Sequence, residues 1–217
     1  MKCSICLYGD AGTGKSAFLL RLMDEHACTE DPWRKLHTRI LARHVCSVYN
    51  KDSLDPDQWA RSLAAQLIQA VLEQPPSARV TIVSLLGSLW RKFKDERALW
   101  EWLENCDANT IMDKFVVPSL HLFGGPLGGR DILILDSLDE ALTRSVTRGD
   151  DSLYKDMHCD SLEHTSVVAV LRKYTRRPGT DADKRLPAWV RVVTTSRPDK
   201  DTRERLEPLL GGASITV

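Results

Sequence analysis

The chain has 217 residues, with 30 Lys and Arg balancing 30 Asp and Glu for a formal net charge of zero. That length suits one α/β domain with a helical insertion, and the neutral balance argues against nucleic acid or an anionic membrane surface as the main partner. Six cysteines form no disulfide framework, Cys3-x-x-Cys6 lacks the second pair of a zinc site, and the longest apolar runs fall short of the ~18 residues of a membrane span, so the expectation is a cytoplasmic protein with reduced thiols.

Residues 3–8, Cys3-Ser4-Ile5-Cys6-Leu7-Tyr8, form a short apolar segment of strand type. Gly9-Asp10-Ala11-Gly12-Thr13-Gly14-Lys15-Ser16 follows, a complete match to the phosphate-binding loop G-x-x-x-x-G-K-[ST], and residues 17–23 continue as a helix. Strand, loop, helix is the context such a loop requires. The glycines at 9, 12 and 14 are expected to turn the backbone with positive φ and bring successive N–H groups onto phosphates, while the helix points its positive end at the same charge. Lys15 then reaches the β- and γ-phosphates, and the Ser16 hydroxyl holds Mg²⁺.

A second strand is expected over residues 39–49, partly alternating and so a sheet edge with one wet face. Asp55 as N-cap, Pro56 at the first helical position and Gln58 two residues later signal a helix start, and Trp59, Leu63, Leu67 and Val71 make its apolar stripe. Residues 80–122 read as two or three more helices, with Leu85, Leu86, Leu89 and Trp90 on one face and Trp100 and Trp102 in the next segment, all assigned to packing. The run Gly124-Gly125-Pro126-Leu127-Gly128-Gly129 breaks them and releases a strand over 131–135, whose unbroken apolar run indicates burial on both faces. Residues 143–159, which include Arg148-Gly149-Asp150, read as a polar surface loop or a partly disordered insertion; a helix over about 161–174, a charged loop over 175–185 and a strand over 189–195 complete the alternation. Residues 213–217 look like one further strand. Met1 close to the first strand and a strand at the chain end carry the expectation of a core cut from a larger multidomain protein.

Asp136-Ser137-Leu138-Asp139-Glu140 follows the buried strand. An Asp at that position can hold Mg²⁺ opposite Ser16, and Glu140 or Asp139 can reach the water that attacks a γ-phosphate. Acids that merely start a helix are the competing reading of the latter pair. Arg197, after the 189–195 strand, is placed to sense or neutralise the γ-phosphate, with a surface salt bridge as its competitor. Asn50-Lys51-Asp52 superficially matches the guanine-reading N-K-x-D, but Ser53 stands where the Asp is needed, which argues against guanine.

Taken together, G-D-A-G-T-G-K-S, I-L-I-L-D-S-L-D-E-A-L and V-V-T-T-S-R-P resemble the NACHT-type branch of the STAND ATPases, signalling NTPases related to AAA+ proteins. The resemblance covers nearly all of residues 1–217. Its most specific element is Ser137 directly after Asp136, followed by Asp139-Glu140; Leu186-Pro187-Ala188-Trp189 and the stretches around Arg43 and Trp59 are also similar. The resemblance implies a three-layer α/β/α core with a parallel sheet ordered 5-1-4-3-2 and a helical insertion between strands 2 and 3. It implies a switch that binds ATP or ADP with Mg²⁺, hydrolyses slowly, and engages itself or protein partners through flanking domains. Two alternatives are an ATP-binding module with vestigial hydrolysis and a small-molecule phosphotransferase whose lid arginines would be Arg176, Arg177 and Arg185.

Overall fold

In the computed structural model the described residues are 4–24, 26, 32–77, 95–147, 166–175, 182–200, 202–204, 206 and 213–216. Five strands run parallel in one sheet: β1 (Ser4–Tyr8), β2 (Ile40–Val45), β3 (Ile132–Asp136), β4 (Arg191–Ser196) and β5 (Ala213–Thr216), ordered β2-β3-β4-β1-β5. The helices are α1 (Lys15–Met23), α2 (Trp33–His37), α3 (Pro56–Leu72), α4 (Glu96–Asn105), α5 (Ala108–Ile111), α6 (Val117–Phe123), α7 (Leu138–Thr147) and α8 (Val167–Thr175). Leu85, Leu86, Leu89, Trp90 and the Arg148-Gly149-Asp150 stretch lie outside the described residues.

The two-residue period of the strands divides the core. Ile132 and Ile134 of β3 face Leu19, Leu22 and Met23 of α1, whereas Leu133 and Leu135 join Cys6, Tyr8 and the apolar faces of α3, α6 and α8 on the other side. β3 is therefore buried at all five positions, as its run of Ile and Leu requires. The chain leaves β1, crosses to the far edge at β2, and returns through β3 and β4. Right-handed crossovers accord with α1 and α2 lying on one face and α3, α6 and α8 on the other.

The sequence explains where α3 begins and where the regular ladder breaks before α6. Asp55 caps α3 by accepting the Asp57 N–H at 2.9 Å, with Pro56 in the first turn; the bond falls on Asp57 and not on Gln58. Trp59, Leu63, Leu67 and Val71 are buried, and Trp102 packs against the core while Trp100 stays at the surface. Between α5 and α6 the backbone widens into a π-turn over Met112–Val116. Pro118 follows it; proline lacks the N–H and crowds the carbonyl four residues back, so the regular ladder cannot run through. The turn is held by Asp113, which accepts the Tyr174 hydroxyl at 2.8 Å and the Lys173 ammonium at 2.9 Å.

β2 is shorter than the sequence suggested, Ile40–Val45 in place of 39–49. Beyond it Ser47 and Asn50 pair with each other across a tight turn, and the Ser53 hydroxyl donates to the carbonyls of Ser47 and Asn50 while accepting the Ser47 N–H. These local polar bonds take the chain out of the sheet. β2 is also an edge strand, and the Gln66 side-chain amide closes that edge: it accepts the Arg43 N–H and donates to the Arg43 carbonyl, each at 2.9 Å. At the strand starts Asp131, 4% exposed, binds Arg39 through two nitrogens and Arg191 at 3.2 Å, pinning β2, β3 and β4 together.

Candidate nucleotide site

The C-terminal ends of β1 and β4 are adjacent, yet the connections leaving them cover opposite faces. The β1 connection carries α1, whereas after β4 the Arg203 guanidinium lies 4.8 Å over the ring of Tyr8 on the other face. Where neighbouring strands send their connections to opposite faces, a crevice opens at the carboxyl edge. Residues 9–16 lie at that crevice.

Gly12 and Gly14 have φ of 84° and 86°, a left-handed backbone that any side chain would strain. Gly9 does not share it, contrary to the expectation for all three glycines; it is buried, and its N–H donates to the Ser196 carbonyl at 3.3 Å, continuing the β1–β4 ladder by one residue. Asp10, Ala11, Gly12, Thr13 and Gly14 are exposed, and the Asp10 carbonyl accepts the N–H and hydroxyl of Thr13. Gly14 caps α1, whose first turn contains no acidic residue, so the positive end of this helix has no carboxylate of its own. Lys15 folds back over the loop, donating to the carbonyls of Gly9 and Asp10 and to the Thr13 hydroxyl.

Ser16 and Asp136 are 120 positions apart in the chain, and the Ser16 hydroxyl donates to Asp136 Oδ1 at 3.2 Å. Asp136 is 1% exposed at the end of β3. The same oxygen accepts the hydroxyl of Thr195, which in turn accepts the Ser137 N–H at 2.9 Å. Ser137 has φ of 57°, the one non-glycine with positive φ among the described residues.

The two other acids have partners. Asp139 Oδ2 lies 3.2 Å from Arg197 Nε, and its Oδ1 accepts the Arg197 N–H at 3.3 Å. Arg197 thus sits at the expected edge, but as half of an ion pair with its side chain 60% exposed. Glu140 accepts the backbone N–H of Val48 at 2.6 Å, joining α7 to the turn after β2. Cys46 lies beneath this group; burial, reinforced by the charges of Asp136, Glu140 and Asp139, pushes its thiol up to about 12, so it stays protonated and unreactive near neutrality. Arg185 lies away from this edge, where its carbonyl meets His121 at 2.8 Å, and Arg176 and Arg177 are outside the described residues.

Thr195 and the Val48 amide were not singled out from the sequence. The run of hydroxyls Thr194-Thr195-Ser196 that closes β4 was a signal for the first. The second is a backbone group and leaves none. No helix among the described residues is long and apolar enough to cross a membrane. Comparison of the chain with protein-family models, with curated proteins and with solved structures finds no match.

Proposed function

We propose that this chain is the nucleotide-binding core of a NACHT-type STAND ATPase, a cytoplasmic switch that binds ATP or ADP with Mg²⁺ and hydrolyses ATP slowly. The observation that carries the reading is the Ser16–Asp136 contact, which joins the end of the phosphate loop to the end of the buried strand. The exposed glycine loop, the α1 N-terminus and Lys15 supply the donors that a triphosphate needs. Read from the β5 side, the strand order is 5-1-4-3-2, which supports the AAA+-related three-layer core. Self-association or protein partners, acting through flanking domains, belong to the same reading.

The donor set fits Mg²⁺. That ion usually takes one or two protein oxygens and completes its shell with waters and phosphate oxygens, and Ser16 with Asp136 offers such a pair. Among the described residues no cluster of three or more His, Cys, Asp or Glu forms a separate cage. When bound, the ion neutralises phosphate charge. This chain's own part is to present Oγ of Ser16 and the Asp136 carboxylate, to draw Lys15 off its loop carbonyls onto the phosphates, and to offer Glu140 or Asp139 to the attacking water.

One observation favours the binding-only alternative: Asp139 is paired with Arg197, and Glu140 with Val48, so neither acid is unengaged. The two readings separate in one assay. Protein mixed with MgATP is followed by calorimetry for binding and by phosphate release for turnover. Binding with turnover supports the ATPase, binding alone supports the module, and absence of both overturns the assignment.

A further inference from the structure

We propose that Thr195 is a positioning residue for Asp136, fixing the carboxylate that presents Mg²⁺ to the bound nucleotide; the inference rests on the nucleotide-binding reading above. Thr195 is 1% exposed, at the carboxyl end of β4. The register pairs Leu135 with Thr194, so Thr195 stands level with Asp136 on the adjoining strand. Its hydroxyl has one proton and two lone pairs. The proton goes to Asp136 Oδ1, and a lone pair receives the Ser137 N–H at 2.9 Å. The result is a directed chain, amide to hydroxyl to carboxylate, in which each bond polarises the next.

Ser16 donates to the same Oδ1, and among the described residues no hydrogen bond reaches Oδ2. Ser16 is the residue whose oxygen is needed elsewhere once nucleotide and metal are bound. Thr195 is then the hydroxyl that keeps the Asp136 carboxylate from turning. It also accepts the N–H of Ser137, the residue held at φ 57° directly after the carboxylate, so the backbone turn and the side-chain orientation depend on one oxygen. A residue present only to fill space would be replaced by valine, which has the same shape, without consequence. One that orients a metal-binding carboxylate would not be, since removing such a support commonly lowers metal affinity by about 10- to 100-fold.

The test uses the full chain as wild type, Thr195→Val and Thr195→Ser. ADP affinity is measured by calorimetry in EDTA and across a Mg²⁺ titration, with melting temperatures of each protein in parallel. We expect Thr195→Val to bind ADP in EDTA within about twofold of wild type, because the phosphate loop is untouched, while its Mg²⁺ midpoint rises about tenfold. Thr195→Ser, which keeps the hydroxyl and loses the methyl, should restore the wild-type midpoint. A folded Thr195→Val with an unchanged midpoint, or a Thr195→Ser as impaired as Thr195→Val, overturns the proposal. Should Thr195→Val not fold, the amide resonance of Ser137 in wild-type protein decides: adding Mg²⁺ to the ADP-loaded chain should shift it beyond the shift caused by ADP, and an unmoved resonance overturns the proposal. Wild-type protein that binds no ADP under any of these conditions overturns the nucleotide reading itself, and this inference with it.

Discussion

Glu140 Oε2 accepts the backbone N–H of Val48 at 2.6 Å, tying one of the two acids proposed to act on the attacking water to the turn that follows β2. Glutamine at this position keeps an oxygen that can accept the same N–H but has no basicity. Glu140→Gln is therefore expected to keep ATP affinity within about twofold and to slow single-turnover hydrolysis by about 10²- to 10⁴-fold, the range for loss of a positioned base. Asp139→Asn, measured alongside, tests the neighbouring acid. Unchanged hydrolysis in both variants would show that neither acid activates the water.

Lys15 contacts three oxygens of its own loop. Since that loop is exposed, Lys15→Ala should change the melting temperature of the free protein little. With ligand the two proteins should diverge: MgATP at 100 times the wild-type dissociation constant adds about 2.7 kcal/mol to the wild type and far less to the variant. Equal thermal stabilisation of both would place the ligand somewhere other than residues 9–16.

Asp131 tests stability apart from function, because it lies at the amino ends of the strands, opposite the candidate site. Asp131→Asn removes the charge that holds Arg39 and Arg191. Those arginine side chains are 35% and 52% exposed, so water can take over part of their solvation. The expected loss is about 2 kcal/mol, below the 3–5 kcal/mol of a fully buried pair, seen as a lower urea midpoint. Nucleotide affinity should not change; a variant that loses affinity while keeping its urea midpoint would contradict this division of labour.

His44 gives the fold a pH dependence. Burial holds its imidazole below the ordinary 6.5, partly opposed by its 2.6 Å bond to the Ser53 carbonyl. A carbonyl only accepts, so Nε2 carries a proton, and with the imidazole held below 6.5 the ring is neutral at pH 7. Below pH 6.5 the unfolded chain takes up a proton that the folded chain resists, so this contribution to stability is present above 6.5 and is lost as the pH falls from there toward the folded value. Its slope cannot exceed about 1.4 kcal/mol per pH unit. Urea unfolding from pH 8 to 5 should show the decline, and His44→Gln should flatten it; a variant with the wild-type slope would assign the decline to another group.

The parts of this fold that were legible are those written contiguously. Residues 9–16 declare a loop because every member of the pattern is adjacent, and Ile132 to Leu135 declare a buried strand because no polar residue interrupts them. What pairs across the sheet was not legible. Nothing in the spacing says that Arg197 meets Asp139, that Glu140 meets a backbone amide of residue 48, or that the Thr195 hydroxyl meets Asp136, since each depends on which strand ends lie side by side. The end of β2 was missed for a different reason. Cys46 and Val48 continue an alternating pattern, but Ser47, Asn50 and Ser53 satisfy one another locally and outcompete the ladder. Gly9 shows the limit of composition: glycine permits a left-handed turn, and here the position extends the β1–β4 ladder by one residue instead.

Gln66 has a consequence for how molecules of this protein meet. An edge strand with unpaired backbone groups is a template on which a strand of another molecule can add, the first step of open-ended aggregation. At Arg43 both groups of the β2 edge are already taken by one side-chain amide, which imitates the donor and acceptor of a neighbouring strand without offering an edge of its own. An incoming strand would have to displace Gln66 before it could form a bond there. Gln66 thus blocks strand addition at Arg43, midway along the β2 edge.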